Sequence, residues 1–468
     1  ISNAQFGLMQ ASLSVVPTIM PFLGGLFVDR FGTGLSSFLA ISLIVTGQCL
    51  VLIGSYSSLF VWMVLGYVVF GVGEGWLVVI SETILVHFFH GRGLAVMIGL
   101  QIAIGKCASF LATGTAIQIT EWTGYYGNVF VVGFILCISS WIINLAYLGL
   151  VRHLNRQVQH QALSRSSLDI LKVLKFSDVI WWFFLMCLLF GAVWIPFIHL
   201  SSNIVKVEFA VSDARAAWIS SVVFGLPMLL NPLMGFALDR WGRLTWFVFA
   251  SSVCLVLATG LILFPVFSSP LVAMVIFSIS LSLGPLAQIT AIPLMLPPMS
   301  THRDIGTILG IRRCVEHIGA TLVDTLSGVL QDLEVDRRYT YVLQVFFALS
   351  CATTFAVLFW AKLDRLLLDN ILTETKKVRP HIVGLLKRSY NLYGEDLAHH
   401  PALRPTEPAV RSRWGRAMCE WSRVIWVDPR LRKIIYVSIT IGLMILTWSV
   451  FWFTGLKLFL QPTKPHAV

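Results

Sequence analysis

The chain has 468 residues, 57% of them hydrophobic and only 12% charged, with a mean hydropathy of +0.81. A water-soluble fold of that size needs far more polar surface, so the apolar surplus must face lipid. The net charge of +11 does not point to nucleic acid, because most of the basic residues sit in gaps between apolar runs, which is the positive-inside pattern.

Apolar runs long enough to cross a bilayer fall near 6–28, 34–54, 59–89, 92–118, 126–151, 178–200, 214–238, 243–264, 269–292, 304–330, 339–362 and 434–460. The fold class expected is therefore an all-α membrane protein. Residues 1–151 read as an N-terminal helical bundle. The polar stretch 152–177, with Arg152, Arg156, Arg165, Lys172 and Lys175, reads as a cytoplasmic linker, and 178–362 reads as a second bundle. Residues 363–433 form a basic cytoplasmic tail, and 434–460 an additional transmembrane helix, near whose end Lys457 can snorkel to head groups. Basic residues mark every second gap: Arg30, Arg92, the linker, Arg240 with Arg243, and His302 with Arg303. Those gaps are expected on the cytoplasmic side.

Two phrases recur about 210 positions apart, GGLFVDRFG at Gly24–Gly32 and GFALDRWGR at Gly235–Arg243, each closing one apolar span just before the next begins. RGLAVMIGLQIAIGKCASF (Arg92–Phe110) and RDIGTILGIRRCVEHIGAT (Arg303–Thr321) align at an offset of 211, which places Gly99 on Gly310, Gln101 on Arg312 and Lys106 on His317. Two pseudo-symmetric halves are the one-dimensional mark of a transporter. The first copy of the phrase follows the first span, whereas the second follows the second span of its half. The symmetry therefore predicts one helix upstream of Ile1, giving two six-helix bundles with the first helix missing from this chain. The repeated phrase reads as a gate. Asp29 and Asp239, with Arg30, Arg240, Arg243, Gly25 and Gly235 around them, end their spans on the cytoplasmic side. There a carboxylate can meet basic residues or helix N-termini of the opposite bundle and hold one conformation shut.

Charges inside the spans are costly, about 2.5–3.5 kcal/mol each at the bilayer centre on insertion scales, so each needs a partner, a wet cavity or a task. Glu74 and Lys106 lie equally far before and after the turn near His90, at a shared depth of roughly 24 Å from it. Three readings are open: a structural ion pair, a zwitterion site in which Lys106 holds a carboxylate and Glu74 an ammonium, and a proton-coupling role for Glu74. On span 304–330, Arg313, His317 and Asp324 share one face, which must point to protein or cavity rather than lipid. Arg312 and Glu316 flank it at i,i+4 and can pair within the helix. Arg313 is the preferred carboxylate ligand because a guanidinium binds bidentately. Gln101, Glu316 and His317 complete the candidate substrate site. Trp194, near Pro196 and His199, is placed at its far-side mouth, with Pro196 expected to bend the helix. Glu82, His87 and His90 approach the end of their span and are expected to be interfacial. The eight Cys are scattered, with no CxxC and no metal spacing, and read as small core residues. No cofactor or metal is expected. No phosphate-binding loop, HExxH or GxSxG is present, so an enzyme reading has nothing to stand on.

GGLFVDRFG and GFALDRWGR resemble the signature that the major facilitator superfamily carries between the second and third helices of each half. FGVGEGWLVV, GLQIAIGKCAS, WIPFIHLSSNIV, AAWISSVVFGLPMLLNPLMGFALDRWG and GTILGIRRCVEHIGA resemble, in that order, its lysosomal dipeptide transporter branch. The resemblance implies alternating access and uniport of dipeptides across a lysosomal or vacuolar membrane rather than the plasma membrane. It also implies an accessory membrane subunit. Lys106 falls where that branch has a base for the peptide carboxylate, while Glu74 lies one place from its acid. The expected function is thus secondary transport of a small zwitterion or anion, dipeptides included. The rivals are a proton-coupled monocarboxylate or organic-anion carrier and a non-transporting membrane receptor or sensor. The partners expected are a small-molecule substrate and the lipid bilayer, and no nucleic acid.

Overall fold

The computed structural model describes residues 16–57, 59–89, 93–125, 127–157, 176, 178–264, 269–296, 304–333, 339–368, 370–375 and 429–460. The expected upstream helix, the linker beyond 157, Arg92, His302 with Arg303, and the tail over 376–428 lie outside the described residues. Among those residues every regular element is helical. A 3₁₀ turn, Val16–Thr18, leads into α1 (Met20–Phe31), α2 (Thr33–Ser57), α3 (Phe60–Phe89), α4 (Leu94–Thr123) and α5 (Gly127–Gln157). Then come α6 (Asp178–Glu208), α7 (Asp213–Trp241), α8 (Leu244–Leu263), α9 (Leu271–Met295), α10 (Ile305–Leu333), α11 (Thr340–Leu367) and α12 (Pro429–Leu460).

Nine of these described helices, α2 to α9 and α11, are long and apolar enough to cross a membrane. The α10 helix falls short of that test because its middle carries Arg312, Arg313 and Glu316. A helix so charged is stable only if protein surrounds it. It is surrounded: α10 packs against α1, α3, α6 and α12. Gly191 of α6 and Gly319 of α10 let those two helices approach closely. A Cβ on Gly191 would lie 2.3 Å from the Glu316 carbonyl oxygen, and one on Gly319 would lie 2.4 Å from that of Leu188.

The repeated phrases both end their helices on a glycine of positive φ. Gly32 closes α1 and Gly242 closes α7, each at φ +83°, and each donates its N–H to the carbonyl four residues back at 2.8 Å. That conformation strains any residue with a Cβ, which explains why a glycine ends both copies.

The core is aromatic and lies mostly in the second half, where Trp194, Trp360, Phe183, Phe190, Phe197, Phe277 and Phe346 are fully buried. Expected span limits shift at a few ends. The α6 helix runs unbroken through Pro196 to Glu208, eight residues past its apolar run, and Glu208 there accepts the Tyr339 N–H at 2.8 Å, tying α6 to the start of α11. The α12 helix touches both halves. Its Tyr436 stacks on Trp181 of α6 with centroids 5.6 Å apart, and its Trp448 Nε1 donates to Thr18 Oγ1 at 3.1 Å.

Candidate functional site

Two helix seams join the halves, and the repeat builds both. Where α1 runs antiparallel to α10, a Cβ on Gly25 would sit 2.2 Å from the Gly306 carbonyl oxygen, and one on Gly310 would sit 2.4 Å from that of Pro21. Where α7 meets α4, a Cβ on Gly235 would sit 2.6 Å from the Ala95 oxygen and one on Gly99 would sit 2.5 Å from that of Asn231. Glycine at these positions lets the two backbones touch. One turn further, each aspartate meets the amino end of the facing helix. Asp29 Oδ1 accepts the Gly306 N–H at 2.9 Å, and its Oδ2 accepts the Thr307 N–H at 2.7 Å and the Thr307 hydroxyl at 2.6 Å. Asp239 Oδ2 accepts the Val96 N–H at 2.9 Å. Each carboxylate satisfies donors that a helix leaves unpaired in its first turn and faces the positive end of its dipole. Arg30, Arg240 and Arg243 are exposed, and the Arg30 guanidinium lies over the ring of its own neighbour Phe31 at 5.2 Å.

Deeper between the halves lies a buried quartet of charges. Arg312 donates to Glu82 at 3.3 Å and to Glu316 at 3.2 Å, and Arg313 donates to the same two carboxylates at 3.1 and 3.4 Å. Two guanidiniums and two carboxylates neutralise one another, which is what allows Arg312 to be fully buried. The expected Arg312–Glu316 pair forms within α10, but its other partner, Glu82, belongs to α3 in the opposite half. Glu82 is not interfacial. It is 2% exposed, because the amino end of α10 reaches as far past it as its own helix end does. Its Oε2 has no hydrogen-bond partner among the described residues.

Arg313 is also within electrostatic reach of both Glu74 and Lys106. Those two do not pair with each other. Glu74 is exposed and Lys106 half-buried, the Lys106 ammonium standing over the Phe224 ring of α7 at 5.3 Å, across the seam. Arg313 of α10 is thus within electrostatic reach of an accessible acid on α3 and a half-buried base on α4. Gln101 Nε2 donates to Ser81 Oγ at 2.7 Å, joining α4 to α3. His317 lies in the field of Glu316, both arginines and His199, and His199 Nδ1 is 3.1 Å from Asp324 Oδ2 across the α6–α10 contact. Trp194 does not line a mouth. It is 1% exposed, stacked on Phe190 at 4.4 Å, and donates Nε1 to Ser280 Oγ at 3.2 Å. Its bulk fits the hollow at Gly284, where an added Cβ would meet the indole at 2.3 Å.

The profile of the Major Facilitator Superfamily matches residues 1–206 and 200–463. The chain belongs to that superfamily. It is a multi-pass membrane transporter and not an enzyme. The lysosomal dipeptide transporter MFSD1 of Bos taurus is 26% identical over 364 residues, covering 74% of this chain and 75% of its own length. The Danio rerio protein of the same name is 25% identical over 374 residues, covering 76% and 78%. Among solved structures, the proton:xylose symporter XylE superposes with a TM-score of 0.60 at 14% identity, over 77% of this chain and 87% of its own. FucP in the outward conformation gives 0.57 at 14%, over 77% and 91%. At that identity the structural likeness speaks to the fold alone.

Proposed function

We propose that this transporter carries small zwitterions, dipeptides being the sharpest case, by alternating access. Glu74 takes the ammonium, and Lys106 with Arg313 takes the carboxylate. The observation that carries this reading is the unpaired opposition of Glu74 and Lys106 around Arg313. With the quartet neutral in itself, the two remaining charges cancel, so a zwitterion enters without adding net charge to a low-dielectric site. A monocarboxylate leaves Glu74 without a counter-ion and needs a proton as well. Dipeptide termini lie about 7 Å apart in an extended chain, a span that two side chains on neighbouring helices can bracket. Gln101, Glu316 and His317 shape the site, Gln101 by setting α4 against α3 and Glu316 by orienting Arg313. Asp29 and Asp239, with Gly25 and Gly235, hold one side shut between transport steps, with Arg30, Arg240 and Arg243 at the same ends. The names of the MFSD1 relatives support dipeptides and a lysosomal or vacuolar membrane. An accessory membrane subunit belongs to the same resemblance and is tested by affinity capture from native membranes.

The experiment is uptake into proteoliposomes of Ala-Ala, N-acetyl-Ala-Ala, Ala-Ala amide and lactate, with and without a pH gradient. Ala-Ala is expected to exceed each analogue by at least about tenfold, the scale of one lost charge-assisted contact, and Lys106→Ala to abolish its uptake. Gradient-driven lactate uptake that matches or exceeds that of Ala-Ala would turn the assignment to a proton-coupled anion carrier.

A further inference from the structure

Arg313 is the most accessible member of the buried quartet: its side chain is 28% exposed, against 0% for Arg312, 3% for Glu82 and 7% for Glu316. We propose that Glu82 is a built-in rival of the substrate carboxylate for Arg313, and that displacing it releases the tie that keeps the Asp29 and Asp239 side closed. The proposal rests on the reading that Arg313 receives the carboxylate.

The geometry separates what moves together from what must part. Both Glu316 contacts are made within α10 and travel with it. Both Glu82 contacts, 3.3 Å from Arg312 and 3.1 Å from Arg313, run from α10 to α3 and cross between the halves. Opening that side therefore has to break the Glu82 contacts while leaving those to Glu316 intact. Without a ligand this strands a buried carboxylate whose second oxygen already lacks a partner, a costly state. A substrate carboxylate changes the balance. Glu82 lies eight residues beyond Glu74 on α3, about 12 Å along the axis, and Arg313 interacts with both. A carboxylate arriving between Lys106 and Arg313 competes for the same guanidinium fork, leaving Glu82 on Arg312 alone. Two cross-half contacts become one. A solute that lacks the carboxylate can still engage Glu74 but leaves the tie whole. Glu82 is thus a positioning residue that makes flux, beyond binding, depend on the carboxylate.

Two native cysteines report on this. Cys314 follows Arg313, is buried, and shares a hydrogen bond with the backbone of Phe22 on α1, so it lies in the seam that must part. Cys187 is more deeply buried and within reach of the same charges, but it sits between α6 and α9, its sulfur 3.6 Å from Gln288 Oε1, inside one half. N-ethylmaleimide labelling of the purified full chain, resolved by peptide mass spectrometry, measures each. Glu82→Gln is expected to raise the Cys314 rate about tenfold without ligand, the scale of one charge-assisted contact, with Cys187 unchanged. In the wild type, Ala-Ala raises Cys314 labelling and Ala-Ala amide does not; in Glu82→Gln the two ligands act alike. An unchanged Cys314 rate in the variant, or a parallel rise at both cysteines, overturns the proposal. If Glu82→Gln does not fold, Glu82→Asp gives the same test with a smaller rise. Should Glu82→Gln raise Cys314 while Ala-Ala leaves the wild type unmoved, competition is refuted. Intact Ala-Ala uptake in the same preparation then confines the failure to this proposal, and absent uptake extends it to the zwitterion assignment.

Discussion

The two aspartate contacts are built on one plan but are not equally strong, and that inequality is measurable. Among the described residues, Asp29 accepts three hydrogen bonds from the first turn of α10, between 2.6 and 2.9 Å, whereas Asp239 accepts one from α4, at 2.9 Å. A hydrogen bond to a charged group contributes about 1.5–3 kcal/mol. Because the three at Asp29 share one carboxylate, their loss is not additive and comes to roughly 3 kcal/mol, against about 1.5 kcal/mol at Asp239. At 1.4 kcal/mol per tenfold, Asp29→Ala shifts the ratio of closed to open molecules about 100-fold, and Asp239→Ala about tenfold. Spin labels on Phe31→Cys and Trp241→Cys, both exposed and at the ends of α1 and α7 in opposite halves, read the opening as a distance distribution. Asp29→Ala should move most of the population to the longer distance and Asp239→Ala a smaller part of it. A larger shift from Asp239→Ala, or none from Asp29→Ala, would refute the account of the seams.

Gly25→Val should displace the same population through sterics alone, since its Cβ would lie 2.2 Å from the Gly306 oxygen; overpacking at such a contact costs about 1–3 kcal/mol, and the label distance should lengthen as it does in Asp29→Ala. Gly235→Val acts more weakly at 2.6 Å from Ala95. Trp194→Phe should destabilise the fold by about 1 kcal/mol for the lost bond to Ser280, read as a lower melting temperature, and leave the KM for Ala-Ala unchanged; a raised KM would return Trp194 to the substrate site.

The parts of this molecule that were legible in its sequence are those set by periodicity and repetition. The spans follow from the length of each apolar run, and the geometry of the two seams follows from one phrase written twice. Gly25 with Asp29 and Gly235 with Asp239 keep the same spacing, so each seam places a glycine at the crossing and a carboxylate one turn beyond it. Trp194 was misplaced for a physical reason. It lies near the middle of α6, and an indole has a large apolar body and a single donor, both of which are satisfied by Gly284 and Ser280 of α9. No property of α6 alone shows which neighbour offers that hollow.

Glu82 is the more instructive miss, because the information was present. It stands eight residues before the chain turn near His90, and Arg312 stands eight after Asp304, so at 1.5 Å per residue both lie about 12 Å from the same membrane surface. The depth argument that matched Glu74 with Lys106 within one half would have matched Glu82 with Arg312 across the two. Opposite charges at equal depth, on helices that the repeat assigns to facing seams, have few alternatives to meeting, since each alone is too costly in an apolar interior. The same reasoning bears on how this transporter works. A buried charge is tolerated only while its partner stays in place, so the residues that bind across the halves in this conformation are those whose contacts must be replaced in the other. Arg312 and Arg313 keep Glu316 whichever way the halves tilt. Glu82 keeps nothing, so under the proposed competition a substrate carboxylate that takes Arg313 from it sets how readily the transporter turns over.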